Sequence, residues 1–349
     1  MKKFVNIIIV VLVIWCLTLS IAMSNVFKAN KAPKLVVEEH RVSGFTTDLT
    51  KAAAKAHSSI VTVQTSKSSG SGILVKQVDN TIYVATSYHL VANEEYILQV
   101  VFDNFTNLQA ELVNYDAIKD VAILKIETDF SIKPIEFGDS DVLEKGEIVL
   151  SIGSPHGLDY NGTISFGVVS DNNRIMPIKY EGQTYYNNMV QTDVNLVDGG
   201  SGGALVNMDG ELVAINTGTL VDNEDTAMTF SLTANELKYI SDSIIKNGEV
   251  KRHELGLKLY PIVEMPNYQK TALGFTLDQV SGMYVNAVAY NSLAEKLGIE
   301  RGDAILMINE SKLNIYKDYF EVIYGDKAIT NIQVLRKGEI INLGVEIND

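Results

Sequence analysis

The chain has 349 residues, 46% of them hydrophobic, and a formal net charge of −14. That length and apolar content suffice for two domains with cores of their own, and the acidity excludes nucleic acid as a partner, because phosphate contacts need a basic face. Cys16 is the single cysteine and lies in an apolar run, so no disulfide staples the soluble part.

Met1-Lys2-Lys3 is followed by a stretch whose only charge before Lys31 is Lys28, built on Ile7-Ile8-Ile9-Val10-Val11-Leu12-Val13-Ile14-Trp15. Two readings compete. Residues 4–23 are long enough for a membrane-spanning helix, and Ser20-Ile21-Ala22 could serve a signal peptidase. The apolar run exceeds the usual signal core of ~7–15 residues, which favours an uncleaved anchor with residues 1–3 as a cytoplasmic stub. Trp15 is too bulky to precede a lipid-modified Cys16. Residues 24–50 are mixed and polar, carry Pro33, and read as a tether. Thr50 to Ala56 reads as a short helix.

From Ser59 to about Phe230, short Val- and Ile-rich segments alternate with turn residues. Ile60-Val61-Thr62-Val63, Thr81-Ile82-Tyr83-Val84 and Glu147-Ile148-Val149-Leu150 are examples, with turns such as Asp79-Asn80 and Asp209-Gly210. That pattern predicts an all-β barrel or sandwich. Thr233-Ala234-Asn235-Glu236 is a capping box in which the Thr hydroxyl meets the Glu N–H and the Glu side chain reaches back. Leu237, Ile240 and Ile244 then share a face, and Gly248 suits the C-terminal cap.

Within the β-rich part lies Gly199-Gly200-Ser201-Gly202-Gly203, a serine with two glycines on each side entering the apolar Ala204-Leu205-Val206. Such a turn can present a nucleophile and aim backbone N–H groups at an oxyanion. His89 follows the strand Thr81–Ala85, and Asp120 opens the strand Val121–Ile126. The order His89, Asp120, Ser201 is that of chymotrypsin-type proteases. His40, His57, His156 and His253 read as solvated or structural. Asp116, near Asp120, is the weaker candidate for the triad acid. Ser71, between Gly70 and Gly72, reads as a decoy.

These motifs resemble the HtrA (Deg) family of serine proteases. The resemblance runs from about residue 50 to the end and rests on Ser71–Val75, Thr86–Leu90, Asp120–Ile126, Ser151–Pro155, Gln191–Leu205 and Gly210–Thr217. It implies a mainly β fold: a chymotrypsin-like pair of six-stranded barrels over residues 51–248, then one PDZ domain (α+β) over 252–349. The PDZ resemblance rests on Asn291-Ser292-Leu293-Ala294 and Gly298-Ile299-Glu300-Arg301-Gly302-Asp303. It further implies Ser201 as nucleophile, His89 as base and Asp120 as its orienting acid. The oxyanion hole would be built at Gly199, Gly200 and Ser201, the substrate pocket at Met228, Thr229 and Phe230, and the peptide-carboxylate loop at Leu255-Gly256-Leu257. No metal and no cofactor are implied. The expected partners are unfolded or exported proteins, peptide C-termini, the membrane through the N-terminal helix, and two further copies in a homotrimer, with the protease outside the cytoplasmic membrane.

The chain also departs from the family. Val197-Asp198-Gly199-Gly200 stands where the family has Asn-Pro-Gly-Asn, which puts the charge of Asp198 near the oxyanion site. Thr229-Phe230-Ser231-Leu232-Thr233 replaces Gly-Phe-Ala-Ile-Pro, so the side chains of Met228 and Thr229 are expected to narrow the pocket towards small aliphatic residues. Two rival functions remain: a protease dedicated to one membrane signalling protein, and a non-catalytic chaperone or peptide sensor on the same fold.

Overall fold

The computed structural model describes residues 14–20, 44–93, 97–221, 227–278 and 281–344. It divides into a unit of residues 1–43 and a larger unit of residues 44–349. In the first unit residues 14–20 form a helix, α1, with Ile14, Trp15, Leu17 and Leu19 exposed. The rest of the expected membrane span, 4–23, and residues 24–43 of the expected tether lie outside the described residues. Among the described residues no helix is long and apolar enough to cross a membrane.

The larger unit opens with α2 (Gly44–His57), longer than the Thr50–Ala56 helix read from sequence. Its buried residues are small, Ala52, Ala53 and Ala56, so the helix lies close against the sheets. Six strands follow: β1 (Ile60–Gln64), β2 (Ser69–Val78), β3 (Thr81–Ser87), β4 (Leu98–Val101), β5 (Asn107–Asp116) and β6 (Val121–Glu127). They close into a barrel in the order β1-β2-β3-β6-β5-β4. The single turn α3 (Tyr88–Val91) leaves the end of β3.

A second barrel has the order β10-β11-β12-β9-β8-β7. Its strands are β7 (Ile148–Gly153), β8 (Thr163–Tyr180), β9 (Gln183–Thr192), β10 (Ala204–Val206), β11 (Leu212–Val221) and β12 (Ala227–Thr233). Alternation along the strands fills three layers, as a side-chain period of two requires. Val61, Val63, Leu74 and Val84 fill the first barrel. Val149, Val190, Leu205 and Val213 fill the second. Ile73, Ile123, Ile152 and Ile215 point the other way and join the barrels to the helices.

Helix α4 (Ala234–Asn247) closes this part with Leu237, Ile240 and Ile244 fully buried. Gly248 sits at φ +80° and donates its N–H to the Ile244 carbonyl (2.8 Å), the left-handed cap its position predicted. The Thr233 hydroxyl accepts from Glu236 N–H at 3.4 Å, but the Glu236 carboxylate does not reach back. It is buried against Lys119 Nζ at 2.6 Å instead. A buried ammonium needs a carboxylate more than a helix terminus does.

The remaining residues form a separate sheet of β13 (Leu257–Pro261), β14 (Met283–Val288), β15 (Ala304–Ile308), β16 (Ser311–Lys312), β17 (Asn331–Arg336) and β18 (Glu339–Gly344). With it pack α5 (Asn267–Ala272), α6 (Leu293–Lys296) and α7 (Tyr316–Ile323). Its core of Leu257, Leu259, Val285, Phe320 and Ile332 also takes in Ile175 of β8 and the flank of Tyr186 of β9. The β8–β9 hairpin therefore belongs to both cores.

Candidate active site

His89 projects from α3 beside the end of β3, and Asp120 precedes β6, the neighbour of β3. Asp120 holds the histidine twice: Oδ2 lies 2.7 Å from Nδ1, and Oδ1 accepts the His89 backbone N–H at 2.8 Å. The Asp120 carbonyl accepts Tyr88 N–H at 3.1 Å, and the Asp120 backbone sits at φ +55°. A non-glycine residue stays there only when its surroundings over-determine it. The hydrogen bond from Asp120 raises the His89 pKa above its ordinary value, partial burial opposes this, and the Asp120 charge adds to the rise.

Ser201 lies on the turn between β9 and β10, wedged against the first barrel. Its carbonyl accepts Ser71 N–H at 3.0 Å. A Cβ on Gly202 would come within 2.2 Å of the Ser71 carbonyl, 2.7 Å of Thr86 Oγ1 and 3.0 Å of Ser87 N. Gly202 is also at φ +81°. Glycine is thus required there by both space and backbone, and the requirement brings the serine turn against residues 86 and 87, next to His89. Among the described residues Ser201 Oγ makes a long hydrogen bond to the Thr217 carbonyl (3.5 Å), and none joins it to the His89 ring. Thr217 is the extra residue where the β11–β12 register shifts between Asn216 and Gly218, a bulge beside the site.

The three proposed oxyanion donors separate. Gly200 N–H is spent on the Val197 carbonyl (2.9 Å), so it offers nothing to an oxyanion. The Asp198 carbonyl accepts His156 N–H (2.9 Å), which turns the next N–H, that of Gly199, to the opposite side of its trans peptide. Among the described residues neither Gly199 N–H nor Ser201 N–H has an acceptor. Gly199 allows no side chain: it has φ +86°, and a Cβ would meet His156 N at 2.7 Å. The Asp198 side chain is exposed.

Ser71 is no decoy. It is fully buried in β2, donates Oγ–H to the Gly199 carbonyl (2.8 Å) and accepts Ser154 N–H (2.8 Å). It therefore ties the serine loop to the end of β7, and only its place between two glycines hinted at a close approach. His57 pairs with Asp103 at 2.8 Å, and Asp103 accepts from Asn161 at 2.7 Å, so that histidine is structural.

Of the three pocket residues, Thr229 is fully buried with its hydroxyl on the Val194 carbonyl (2.7 Å). Phe230 belongs to the inter-barrel core. Met228 is 40% exposed and accepts from Gln191.

In the C-terminal sheet, Leu255 and Gly256 precede β13. Their carbonyls are taken by Ala294 N–H (3.1 Å) and Ala289 N–H (2.8 Å), while their own N–H groups have no acceptor among the described residues. Among the described residues no group of three or more His, Cys, Asp or Glu could hold a metal ion.

Comparison with known proteins agrees with this geometry. The family model for the trypsin-like peptidase domain matches residues 70–215. The chain is 33% identical over 282 residues to the serine protease Do-like HtrB of Bacillus subtilis (strain 168), covering 79% of this chain and 61% of that protein. It is 28% identical over 334 residues to the serine protease Do-like HtrA of the same organism, covering 92% of this chain and 74% of that one. The chain thus spans between three-fifths and three-quarters of the length of these relatives. Among solved structures, the HtrA-type protease AlgW with tripeptide superposes with a TM-score of 0.60 at 26% identity, over 85% of this chain and 95% of that one. The chain belongs to the HtrA family of trypsin-like serine proteases.

Proposed function

We propose that the chain is a serine endopeptidase in which Ser201 attacks the scissile carbonyl, His89 takes and returns the proton, and Asp120 orients and charges the imidazole. The observation that carries this is the double hold of Asp120 on His89, ring and backbone together, next to a serine seated on a glycine-lined turn. The N–H groups of Gly199 and Ser201 are the donors available to the oxyanion. Ser201 Oγ rests on the Thr217 carbonyl; rotation towards His89 on substrate binding completes the relay, and loose catalytic hydrogen bonds are common before substrate arrives.

The C-terminal sheet is read as a PDZ domain that takes a peptide C-terminus as an added strand on β13, its carboxylate on the free N–H groups of Leu255 and Gly256. The side-chain groove between β13 and α7 is lined by Leu257, Leu259, Tyr316, Tyr319, Phe320 and Ile323. Ile175 and Tyr186 of the β8–β9 hairpin fill it, leaving a cavity of about 20 Å³. Peptide capture there requires the hairpin to withdraw. Exposed Ile14, Trp15, Leu17 and Leu19 on α1 support an N-terminal membrane anchor, with misfolded or exported proteins outside the cytoplasmic membrane as substrates.

The test is Ser201→Ala. Casein cleavage and labelling by a fluorophosphonate should both vanish, with a fall in kcat on the order of 10⁴–10⁶. Cleavage that persists in the purified variant rules the assignment out.

A further inference from the structure

The turn that carries Asp120 is mounted on a buried charge cluster. Asp116 ends β5, and its Oδ1 accepts Ile118 N–H and Lys119 N–H, both at 3.1 Å. Its Oδ2 pairs with Arg252 Nη1, which comes from the first residues after α4. The two side chains are 5% and 7% exposed. Arg252 also binds Glu254 through Nε (3.0 Å) and meets the Tyr324 hydroxyl (3.3 Å). Tyr324, just past α7, donates to Glu236 Oε1 (2.8 Å), which also holds Lys119. Asn187 of β9 donates to the Ile118 carbonyl at 2.8 Å. On the far side, Tyr115 stacks on Tyr88 with ring centroids 4.0 Å apart, one residue before each of Asp116 and His89.

Every residue of the turn except Ala117 is therefore held by a named partner, and the partners come from α3, the helix α4, the segment that follows α4 and the β8–β9 hairpin. The groups facing Arg252 are Asp116, Glu254, Tyr319 and Tyr324, with Glu236 and Lys119 one contact further. Asp120 needs this mount, because its left-handed backbone would relax if the turn were free.

We propose that Arg252 is a positioning residue for the triad: through Asp116 it fixes the turn 116–120 and so places the Asp120 carboxylate against His89. This rests on reading His89, Asp120 and Ser201 as the triad. It couples the seating of the C-terminal module to an assembled His–Asp pair, since Arg252 is held in place by the Tyr324 hydroxyl and by the neighbouring His253 N–H, which donates to the Ile323 carbonyl at 2.8 Å.

Two readouts test it in the full chain. The first is kinetic. Arg252→Gln and Asp116→Asn should each lower kcat by roughly 10–100-fold with KM within about twofold, the cost of a misplaced catalytic group. Asp116→Asn keeps the acceptor for the turn N–H groups and removes only the charge. The double variant should be no worse than the poorer single, and Arg252→Lys should recover part of the loss. The second is independent of cleavage. In a Ser201→Ala background, the His89 ring is titrated by NMR, its signal assigned by His89→Ala. Arg252→Gln should lower the His89 pKa, because the bond from Asp120 that raises it is loosened.

A folded Arg252→Gln protein with unchanged kcat and unchanged His89 titration overturns the proposal. So does a loss of activity with the titration unmoved, which is what mere destabilisation would produce, and so do additive losses in the double variant. If the titration moves as expected but the parent protein neither cleaves casein nor labels with fluorophosphonate, the positioning role stands and the triad reading fails.

Discussion

As the proposed general base, His89 carries the expected pH dependence of the site. Its bond to Asp120 favours the imidazolium, so the folded pKa lies above the ordinary value of about 6.5. A general base must be neutral, and kcat/KM should therefore rise with pH with a midpoint above 6.5. The sign for stability is the reverse. A raised histidine pKa contributes stability that is fully present below the unfolded value and is lost as pH rises through the folded one. Asp120→Asn should remove the raised midpoint and lower kcat by about 10⁴. A pH profile whose acid limb lies below 6.5 in the parent, or does not shift in Asp120→Asn, contradicts the pairing. These three residues were legible in the sequence because each sits in its own short motif and their order along the chain is diagnostic. Ser71 was not, since its role depends on Gly199 and Ser154, which lie 128 and 83 residues away.

At the scale of the element, α4 is more than a cap on the second barrel. Its N-terminal Glu236 is fully buried, and among the described residues its Oε2 has no partner while Oε1 serves both Lys119 and Tyr324. Burial pushes the Tyr324 hydroxyl well above its ordinary pKa, so it stays protonated and donates. Breaking one side of such a pair strands the other charge. Glu236→Gln should cost about 3–5 kcal/mol, whereas Lys119→Met with Glu236→Leu together should cost far less or nothing. Chemical denaturation of the three proteins reads this directly, and a Glu236→Gln protein as stable as the parent would refute the stranded-charge account. The sequence placed this helix at its correct ends from the capping box and Gly248. It misassigned the Glu236 side chain because periodicity describes a helix against itself and not against a lysine 117 positions earlier. Strands were readable for the matching reason: a Val/Ile alternation is local. The Thr217 bulge was not, because register is a property of two strands.

At the scale of the whole molecule, the β8–β9 hairpin joins the two halves. Its strands run 18 and 10 residues, well beyond what barrel closure in the neighbouring strands uses, and the excess carries Ile175 and Tyr186 into the groove between β13 and α7. The proposed peptide-binding loop Leu255-Gly256-Leu257 comes from the sequence, but the filling of the groove beside it could not be read there, since Ile175 and Tyr186 are ordinary strand residues until the sheet opposite is known. A closed groove imposes a cost on any ligand: the apparent dissociation constant is the intrinsic one divided by the fraction of molecules whose groove is open. Truncating the plug should raise that fraction. Tyr186→Ala with Ile175→Ala removes apolar surface that only the closed state buries, so a peptide ending in a free apolar residue should bind on the order of tenfold tighter to the double variant than to the parent. The same peptide as its C-terminal amide should bind both proteins weakly, because on the proposed reading the N–H groups of Leu255 and Gly256 hold the carboxylate. Calorimetry on the four combinations separates the two halves of the argument. Equal affinity of parent and variant for the free acid removes the plug, and equal affinity of acid and amide removes the carboxylate loop.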